Sequence, residues 1–188
     1  MRGETLSQVL KRKGKLDAKT VVAWFSQVLD GVEAAHKAGI VHRDLKPDNI
    51  FVTRCSEDET VRLCILDFGL ARFNELEFTD SVTVPGTIMG TLGYMPPEQL
   101  RGEKTDERSD LFATSVIIYE ALHGEKPFAG KSYQEIMRSM SKKIIFDEDE
   151  TFTKFFERGL AQKPEKRFAS ANEMKGNLSN SSFILKTI

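Results

Sequence analysis

Residues 42–49 of the chain read HRDLKPDN, and residues 67–69 read DFG, which begins eighteen positions after the first motif ends. The first motif supplies a carboxylate at Asp44, an amine at Lys46 and an amide at Asn49. The second supplies another carboxylate, Asp67, with a glycine close behind that allows the chain to turn. Carboxylate and amide oxygens are the ligands that Mg²⁺ prefers, and cations neutralise phosphate charge. These residue types, a base, a cation and two kinds of metal ligand, together suit a site that handles phosphate.

The first motif is expected to lie in a loop between a long helix and a pair of strands. Residues 50–52 and 61–66 are rich in apolar and β-branched side chains, which predicts two short strands joined by a polar link. Upstream, Asp17 is expected to cap a helix whose apolar residues follow the 3.6-residue period, and Gly39 is expected to end it.

The second half of the chain is predicted to be helical. A strongly apolar run between Ser109 and Gly124 has no polar face, which indicates a helix surrounded on all sides. Capping-box spacing at Ser132 and at Ser170 marks two further helix starts, and another helical stretch is expected around residues 152–162. The final residues show no clear period. The whole pattern predicts a mainly α protein with one small β-hairpin.

Composition narrows the class of protein. The chain has 188 residues, 40% of them hydrophobic and 29% charged, which suits one globular domain. A net charge of −1 gives no overall electrostatic signature of a nucleic-acid or membrane binder. Cys55 and Cys64 do not have the spacing of a zinc site or of a disulfide framework. With no secretory signal and no long apolar stretch, we expect a cytoplasmic location.

Further motifs follow in a fixed order. They are the segment GTLGYMPPE at residues 90–98, then Asp110 inside the apolar run, then Arg167 near the end. Together with HRDLKPDN and DFG, this set resembles the large, C-terminal lobe of a serine/threonine protein kinase. The residues of its motifs look most similar to those of the bacterial type. The resemblance extends from Glu4 to about residue 178. By the family's pattern, Lys46 favours serine and threonine acceptors over tyrosine.

The resemblance implies ATP and Mg²⁺ as cofactors and a role for each motif residue. Asp44 would accept the proton of the acceptor hydroxyl, and Lys46 would neutralise the transferred phosphate. Asn49 and Asp67 would hold the metal ion. Glu4 corresponds to an acid that contacts the ribose, and Phe51 to the apolar floor beneath the adenine. The nucleotide-binding set implied in this way is Glu4, Lys46, Asn49, Phe51 and Asp67.

Residues 67–98 correspond to the activation segment, which the resemblance implies is regulated. Arg43, beside the base, is typical of kinases that are switched on by phosphorylation of this segment. Thr83 and Thr87 are the candidate phosphorylation sites, with Thr79 and Ser81 behind them. Thr91 corresponds to the hydroxyl that braces Asp44 and Lys46. The residues to which the resemblance assigns structural roles are His42, Phe68, Glu98, Asp110 and Arg167.

The small, N-terminal lobe of a kinase is missing from this sequence. The glycine-rich loop, the strand lysine that grips the nucleotide phosphates and the helix glutamate that pairs with it are not found. Residues 1–188 are therefore assigned to the C-terminal lobe alone. Without the roof of the cleft, water would enter the site and weaken its electrostatics. We expect the chain by itself to phosphorylate nothing measurable, and to need an N-lobe as a partner.

Two other classes of function remain open. A non-catalytic, kinase-like module would bind partner proteins through residues 90–98 and the helices. A small-molecule kinase would share the fold but usually lacks such a peptide-docking segment. The intact set Asp44, Lys46, Asn49 and Asp67 favours the protein kinase, because a binding role would not require all four.

Overall fold

The computed structural model describes residues 3–54, 60–67, 92–130, 132–142 and 150–183. In chain order the elements of these residues are β1 (Gly3–Thr5), α1 (Leu6–Lys13), α2 (Ala18–Lys37), β2 (Ile50–Arg54), β3 (Val61–Ile65), α3 (Pro97–Leu100), α4 (Glu107–His123), α5 (Tyr133–Met140), α6 (Glu150–Gly159) and α7 (Ala171–Phe183). Short 3₁₀ turns occupy Pro47–Asn49 and Pro164–Lys166. Within this part of the chain no helix combines the length and the apolar character that a membrane span requires.

Helix α2 forms where the sequence predicts it. The Asp17 carboxylate accepts a hydrogen bond from the backbone N–H of Thr20 at 2.9 Å, which satisfies one free donor of the first turn. After the last turn Gly39 adopts φ +74°, the left-handed conformation that glycine tolerates best. The apolar stripe is fully buried and consists of Val21, Phe25, Val28, Leu29 and Val32.

We expect the Asp17 cap to make a pH-dependent contribution to stability. Hydrogen bonds from the Thr20 hydroxyl and N–H lower the pKa of Asp17 below its ordinary value of 3.8. The cap therefore stabilises the fold above that value and loses its effect as the pH falls through the lowered pKa. Asp17→Ala should cost about 1 kcal/mol at neutral pH, and this cost should shrink in acid.

Urea unfolding of the chain at neutral and acidic pH measures this effect. The matched control is Asp17→Asn, which keeps a capping oxygen but cannot titrate. Its stability at neutral pH should be close to that of the unmodified chain. A loss equal to that of the alanine variant would contradict the assignment of the cap.

The β structure is larger than the predicted hairpin. β2 and β3 pair antiparallel, with Phe51 opposite Cys64, which confirms the hairpin. β1 pairs antiparallel with β2 on its other edge, so the sheet has three strands in the order β1-β2-β3. Three residues are too few to show a period, and this is why the strand was missed. Gly3 is needed there, since a Cβ would lie 2.5 Å from the ring of Phe51.

Helix α4 begins earlier than predicted. Its N-cap is Asp106, whose side chain accepts from the N–H of Arg108 at 2.8 Å, so Ser109 is not the first residue. The polar residues Asp106, Glu107 and Arg108 precede the apolar run, so the run alone does not reveal this start. Twelve of the seventeen residues are buried, which confirms a helix enclosed on all sides. Gly124, at φ +81°, ends it as expected.

Of the later helices, α6 packs against α4 and α7 packs against α2. Ser132 caps α5, and Ser170 accepts from the N–H of Glu173 at 3.1 Å at the start of α7, which confirms both predicted starts. Helix α7 continues to Phe183, past the point where the sequence loses its period. It lies against α2. The ammonium of Lys175, on α7, donates to the carboxylate of Asp30, on α2, at 2.7 Å.

Candidate active site

The HRDLKPDN motif forms the loop and 3₁₀ turn between α2 and β2, and a buried carboxylate holds its backbone. Asp110, on α4, is 1% exposed. Its Oδ2 accepts from the N–H of His42 and its Oδ1 from the N–H of Arg43, each at 2.8 Å. Both oxygens of a buried carboxylate are thus committed to two successive peptide groups, and this fixes the direction in which the loop leaves α2.

His36 completes this anchor. Its Nε2 lies 2.8 Å from Oδ2 of Asp110, and its side chain is 8% exposed. The sequence offers no signal for this contact, because the partner of His36 stands seventy-four positions away along the chain.

Two residues of the site, Arg43 in the loop and Asp67 at the start of DFG, have a strained backbone conformation. Arg43 has φ +66° and Asp67 has φ +57°, and in the described part of the chain these are the non-glycine residues with positive φ. Such conformations cost energy for residues with a side chain, and they persist only where the surroundings enforce them. At Arg43 one further contact helps, because Nε2 of Gln99 donates to the Arg43 carbonyl oxygen at 2.9 Å. The sequence offers no signal for this role of Gln99.

Asp44, Lys46 and Asn49 meet within this loop. The ammonium of Lys46 donates to Oδ2 of Asp44 at 2.8 Å. The side-chain NH₂ of Asn49 donates to the Asp44 carbonyl oxygen at 2.8 Å and lies 3.4 Å from Oδ2. The side chains of Asp44 and Lys46 are 21% and 22% exposed, so the carboxylate remains accessible to a substrate on one side.

Two hydrogen bonds bring Asp67 to the same loop. The N–H of Leu66 donates to the carbonyl oxygen of Asn49 at 2.8 Å, and Nε2 of His42 lies 2.9 Å from the carbonyl oxygen of Leu66. A carbonyl oxygen can only accept, so Nε2 of His42 carries the proton, and Nδ1 accepts from the N–H of Asp44 at 3.3 Å. One imidazole thus joins the residue before Asp67 to the backbone of Asp44.

The donor set suits a magnesium ion. The NH₂ of Asn49 is used by the loop, and its amide oxygen is a hard ligand of the kind Mg²⁺ takes, as is the Asp67 carboxylate. Within the described residues, no three His, Cys, Asp or Glu side chains cluster as a metal site. Two protein oxygens, completed by phosphate and water, are a usual environment for Mg²⁺.

The predicted nucleoside contacts lie on the sheet. Phe51 is half-buried and points to the face opposite its buried neighbours in β2. Leu66, predicted as the last residue of the second strand, lies just after the end of β3 and is 38% exposed. Glu4 lies on β1, where the guanidinium of Arg12 pairs with its carboxylate. Lys11, Arg12 and Lys13 are the basic residues of the last turn of α1.

Glu98 and Arg167 form a buried, bidentate ion pair. The two guanidinium nitrogens of Arg167 donate to the two carboxylate oxygens of Glu98, both at 2.7 Å, and the side chains are 3% and 0% exposed. The hydroxyl of Ser109 also donates to Glu98 at 2.8 Å. Burial alone would raise the pKa of Glu98, but the hydrogen bonds and charge of Arg167 hold it below its usual value. This pair joins the end of the predicted activation segment to the C-terminal helices.

Several predicted residues lie outside the described part of the chain. These are Phe68, Thr79, Ser81, Thr83, Thr87 and Thr91. Arg43, the proposed partner of a phosphate in that segment, is described and its side chain is exposed.

Comparisons with known proteins agree with this geometry. A family model described as the protein kinase domain matches residues 1–178. The chain is 37% identical over 183 residues to the serine/threonine-protein kinase PknL of Mycobacterium tuberculosis, covering 94% of this chain and 44% of that protein. It is 43% identical over 132 residues to the serine/threonine-protein kinase pkn3 of Myxococcus xanthus, covering 69% of this chain and 24% of that protein.

A third relative is similar over more of the chain. The probable serine/threonine-protein kinase PknB of Corynebacterium glutamicum is 32% identical over 189 residues, covering 95% of this chain and 28% of that protein. The chain thus spans less than half the length of these curated relatives. The family model covers nearly all of the chain, and the predicted family is confirmed: the chain belongs to the protein kinase domain family, with serine/threonine kinases of bacteria as its relatives.

Proposed function

We propose that the chain is the large lobe of a serine/threonine protein kinase that transfers the γ-phosphate of ATP to hydroxyl groups of proteins. The observation that supports this most is the position of Asp44. Its carboxylate lies 2.8 Å from the ammonium of Lys46, and Asn49 donates to its backbone carbonyl, in a loop that Asp110 holds from below. A base (Asp44), a cation (Lys46) and a metal ligand (Asn49) are therefore in direct contact at one half-buried place in the loop.

Each residue has a task in this proposal. Asp44 orients the acceptor hydroxyl and accepts its proton, while Lys46 offsets the charge of the phosphoryl group. Asn49 and Asp67 would hold Mg²⁺, which supplies charge neutralisation on the phosphates when it is bound. Phe51 and Glu4 would contact the adenine and the ribose. Since the donor is ATP, we place the reaction in the cytoplasm.

In this proposal residues 1–188 act as the C-terminal lobe, with residues 67–98 as the activation segment. The exposed apolar side chain of Leu66 and the half-buried ring of Phe51 offer apolar surface that an N-lobe and a nucleotide would cover in this proposal. A phosphate on Thr83 or Thr87 would add about −1.5 to −2 charge and pair with Arg43, ordering the segment. Thr91 would brace the base.

The alternative of a non-catalytic binding module receives less support. It would use residues 90–98 for docking, but residues 92–98 are all buried. Side chains buried in the core leave little of residues 92–98 for a large docking surface. The set Asp44, Lys46 and Asn49, which brings a carboxylate and an ammonium to 2.8 Å, has no task in a module that only binds.

Phosphoryl transfer measured with and without a small lobe tests the proposal. With radiolabelled ATP, Mg²⁺ and a general protein acceptor, the chain alone should transfer nothing measurable. The same residues preceded by the small lobe of a bacterial serine/threonine kinase should transfer phosphate to serine and threonine. Robust transfer by the chain alone would refute the requirement for an N-lobe. A folded, nucleotide-binding two-lobe protein that transfers nothing would refute the activity.

A further inference from the structure

A cavity of about 530 Å³ opens beside the catalytic loop, on the side of α1. Its wall begins at Lys46, whose ammonium is 2.8 Å from the Asp44 carboxylate, and continues through Asp48. The far wall is made by Tyr94 and by the end of α4 with the turn that follows. A polypeptide whose hydroxyl reaches Asp44 would therefore place a neighbouring side chain in this cavity.

Three side chains of the far wall are joined to one another. The hydroxyl of Tyr94 donates to Oε2 of Glu120 at 2.6 Å, and Tyr94 is only 7% exposed. The ammonium of Lys126 lies over the ring of Tyr94, 4.1 Å from its centroid, which is a cation–π distance. Burial and the neighbouring charge of Glu120 raise the pKa of Tyr94, so the phenol stays protonated as a donor.

Lys126 shares the wall of the cavity with the carboxylates of Glu120 and Asp48. Burial, the largest effect, lowers the pKa of its ammonium, whereas the charges of Glu120 and Asp48 both raise it. Geometry agrees with this, because the ring of Tyr94 lies between Lys126 and Glu120, and Asp48 lines the same cavity. Lys11 also lines the cavity from α1, but its side chain is exposed, and Lys46 is already paired with Asp44.

The positive charge of Lys126 offsets the negative charges of Glu120 and Asp48 in the cavity wall. Without Lys126, the cavity wall would present the half-buried Glu120 and the exposed Asp48 to an incoming side chain, while Lys11 is exposed and Lys46 is paired with Asp44. Carboxylates that line one cavity attract a basic group, and a lysine of the protein itself already meets that demand. The cavity is therefore expected to add little to the affinity for a peptide that carries an arginine or lysine there.

We propose that Lys126 is a specificity-determining residue: by neutralising Glu120 and Asp48, it keeps the cavity beside Asp44 from selecting peptides with a basic side chain next to the acceptor. This inference rests on the proposed function, because it takes the ligand to be the peptide substrate. It assigns to Lys126 a role in substrate choice and not in phosphoryl transfer.

Peptide binding by the whole chain tests this role. Short serine peptides of alanine background, each with one arginine at a different flanking position, are titrated into ¹⁵N-labelled protein at low salt, and affinities are read from amide shifts. The unmodified chain should bind the arginine peptides and the all-alanine peptide about equally. Lys126→Met should bind at least one arginine peptide about fivefold more tightly than the alanine peptide.

Three further variants make the result specific. Adding Glu120→Gln to Lys126→Met should remove the preference for arginine, and Lys126→Arg should leave the unmodified profile. Lys104→Met removes an exposed lysine that does not line the cavity and should change nothing. If Lys126→Met does not fold by circular dichroism, Lys126→Gln replaces it.

The inference is overturned if removing the cation leaves charge preference unchanged, or if the unmodified chain already prefers arginine to the same degree. Binding is read without ATP, so a chain that transfers no phosphate still reports on the cavity. Conversely, phosphoryl transfer with no change of preference in the variant would contradict the role of Lys126 alone.

Discussion

Replacing Asp44 by asparagine is expected to lower the rate of phosphoryl transfer by about 10²–10⁴-fold in the two-lobe protein. The amide keeps the size of the side chain and one oxygen, but it cannot accept the proton of the acceptor hydroxyl. It also removes the negative partner of Lys46, whose ammonium now donates to Oδ2 at 2.8 Å. The largest loss should therefore appear in kcat, while nucleotide binding should change little.

Initial rates at saturating and limiting acceptor concentrations separate kcat from KM for this variant. The matched control is Asp30→Asn, which removes an exposed carboxylate that pairs with Lys175 on the α2–α7 surface. It should retain full activity. Asp44→Asn with activity near that of the control would remove Asp44 from the reaction, and equal losses in both would show that unfolding was being measured.

Replacing Arg167 by methionine should destabilise the chain by about 3–5 kcal/mol, the cost of leaving one member of a buried ion pair without the other. Glu98 would keep its buried position but lose two charge-assisted hydrogen bonds of 2.7 Å. The carbonyl oxygens of Ala161 and Gln162 would also lose the donors that Arg167 supplies. Urea unfolding of the 188-residue chain, followed by circular dichroism, measures this without any need for catalysis.

An exposed ion pair provides the comparison. Lys175→Met breaks the contact with Asp30, which has the same 2.7 Å length but involves side chains that are 33% and 64% exposed. It should cost less than about 1 kcal/mol. Adding Glu98→Gln to Arg167→Met should recover part of the loss, because it removes the buried charge. Similar costs for Arg167→Met and Lys175→Met would show that burial does not matter here.

The cost of losing Arg167 should also depend on pH. Because Arg167 holds the pKa of Glu98 below its ordinary value of 4.5, the ionised pair stabilises the fold above that value. This contribution is lost as the pH falls through the lowered pKa. In the variant the unpaired, buried carboxyl gains from protonation instead. The difference in unfolding free energy between the two proteins should therefore shrink in acid.

Local chemistry explains the parts of the fold that were predicted well. The ends of α2, α4, α5 and α7 are set by Asp17, Gly124, Ser132 and Ser170, residues whose effect on the backbone reaches only a few positions along the chain. The position of HRDLKPDN in a loop before β2 follows from the same kind of short-range pattern. The start of α4 was predicted too late, near Ser109, where burial begins. An apolar run shows where a helix is buried, but not which residue caps it.

The candidate site was predictable in its members but not in its supports. Motif order named Asp44, Lys46, Asn49 and Asp67, and the structure brings the first three into hydrogen-bond contact and ties the residue before Asp67 to them. No sequence pattern indicates that His36 shares the Asp110 carboxylate, or that Gln99 donates to the Arg43 carbonyl oxygen. These partners are separated by seventy-four and fifty-six positions, so no local pattern records them.

The amino-acid order was enough to establish the family, the long helices and the residues on which chemistry depends, because motifs, caps and apolar periods act over short stretches of chain. Only the folded chain shows that β1 completes the sheet, that Glu98 and Arg167 are buried together, and that Lys126 sits over Tyr94 beside the carboxylates of the cavity. Burial and long-range hydrogen bonds arise from packing between distant segments. Burial and these hydrogen bonds determine how strongly a charged side chain interacts with its neighbours, and the identity of the residue alone does not.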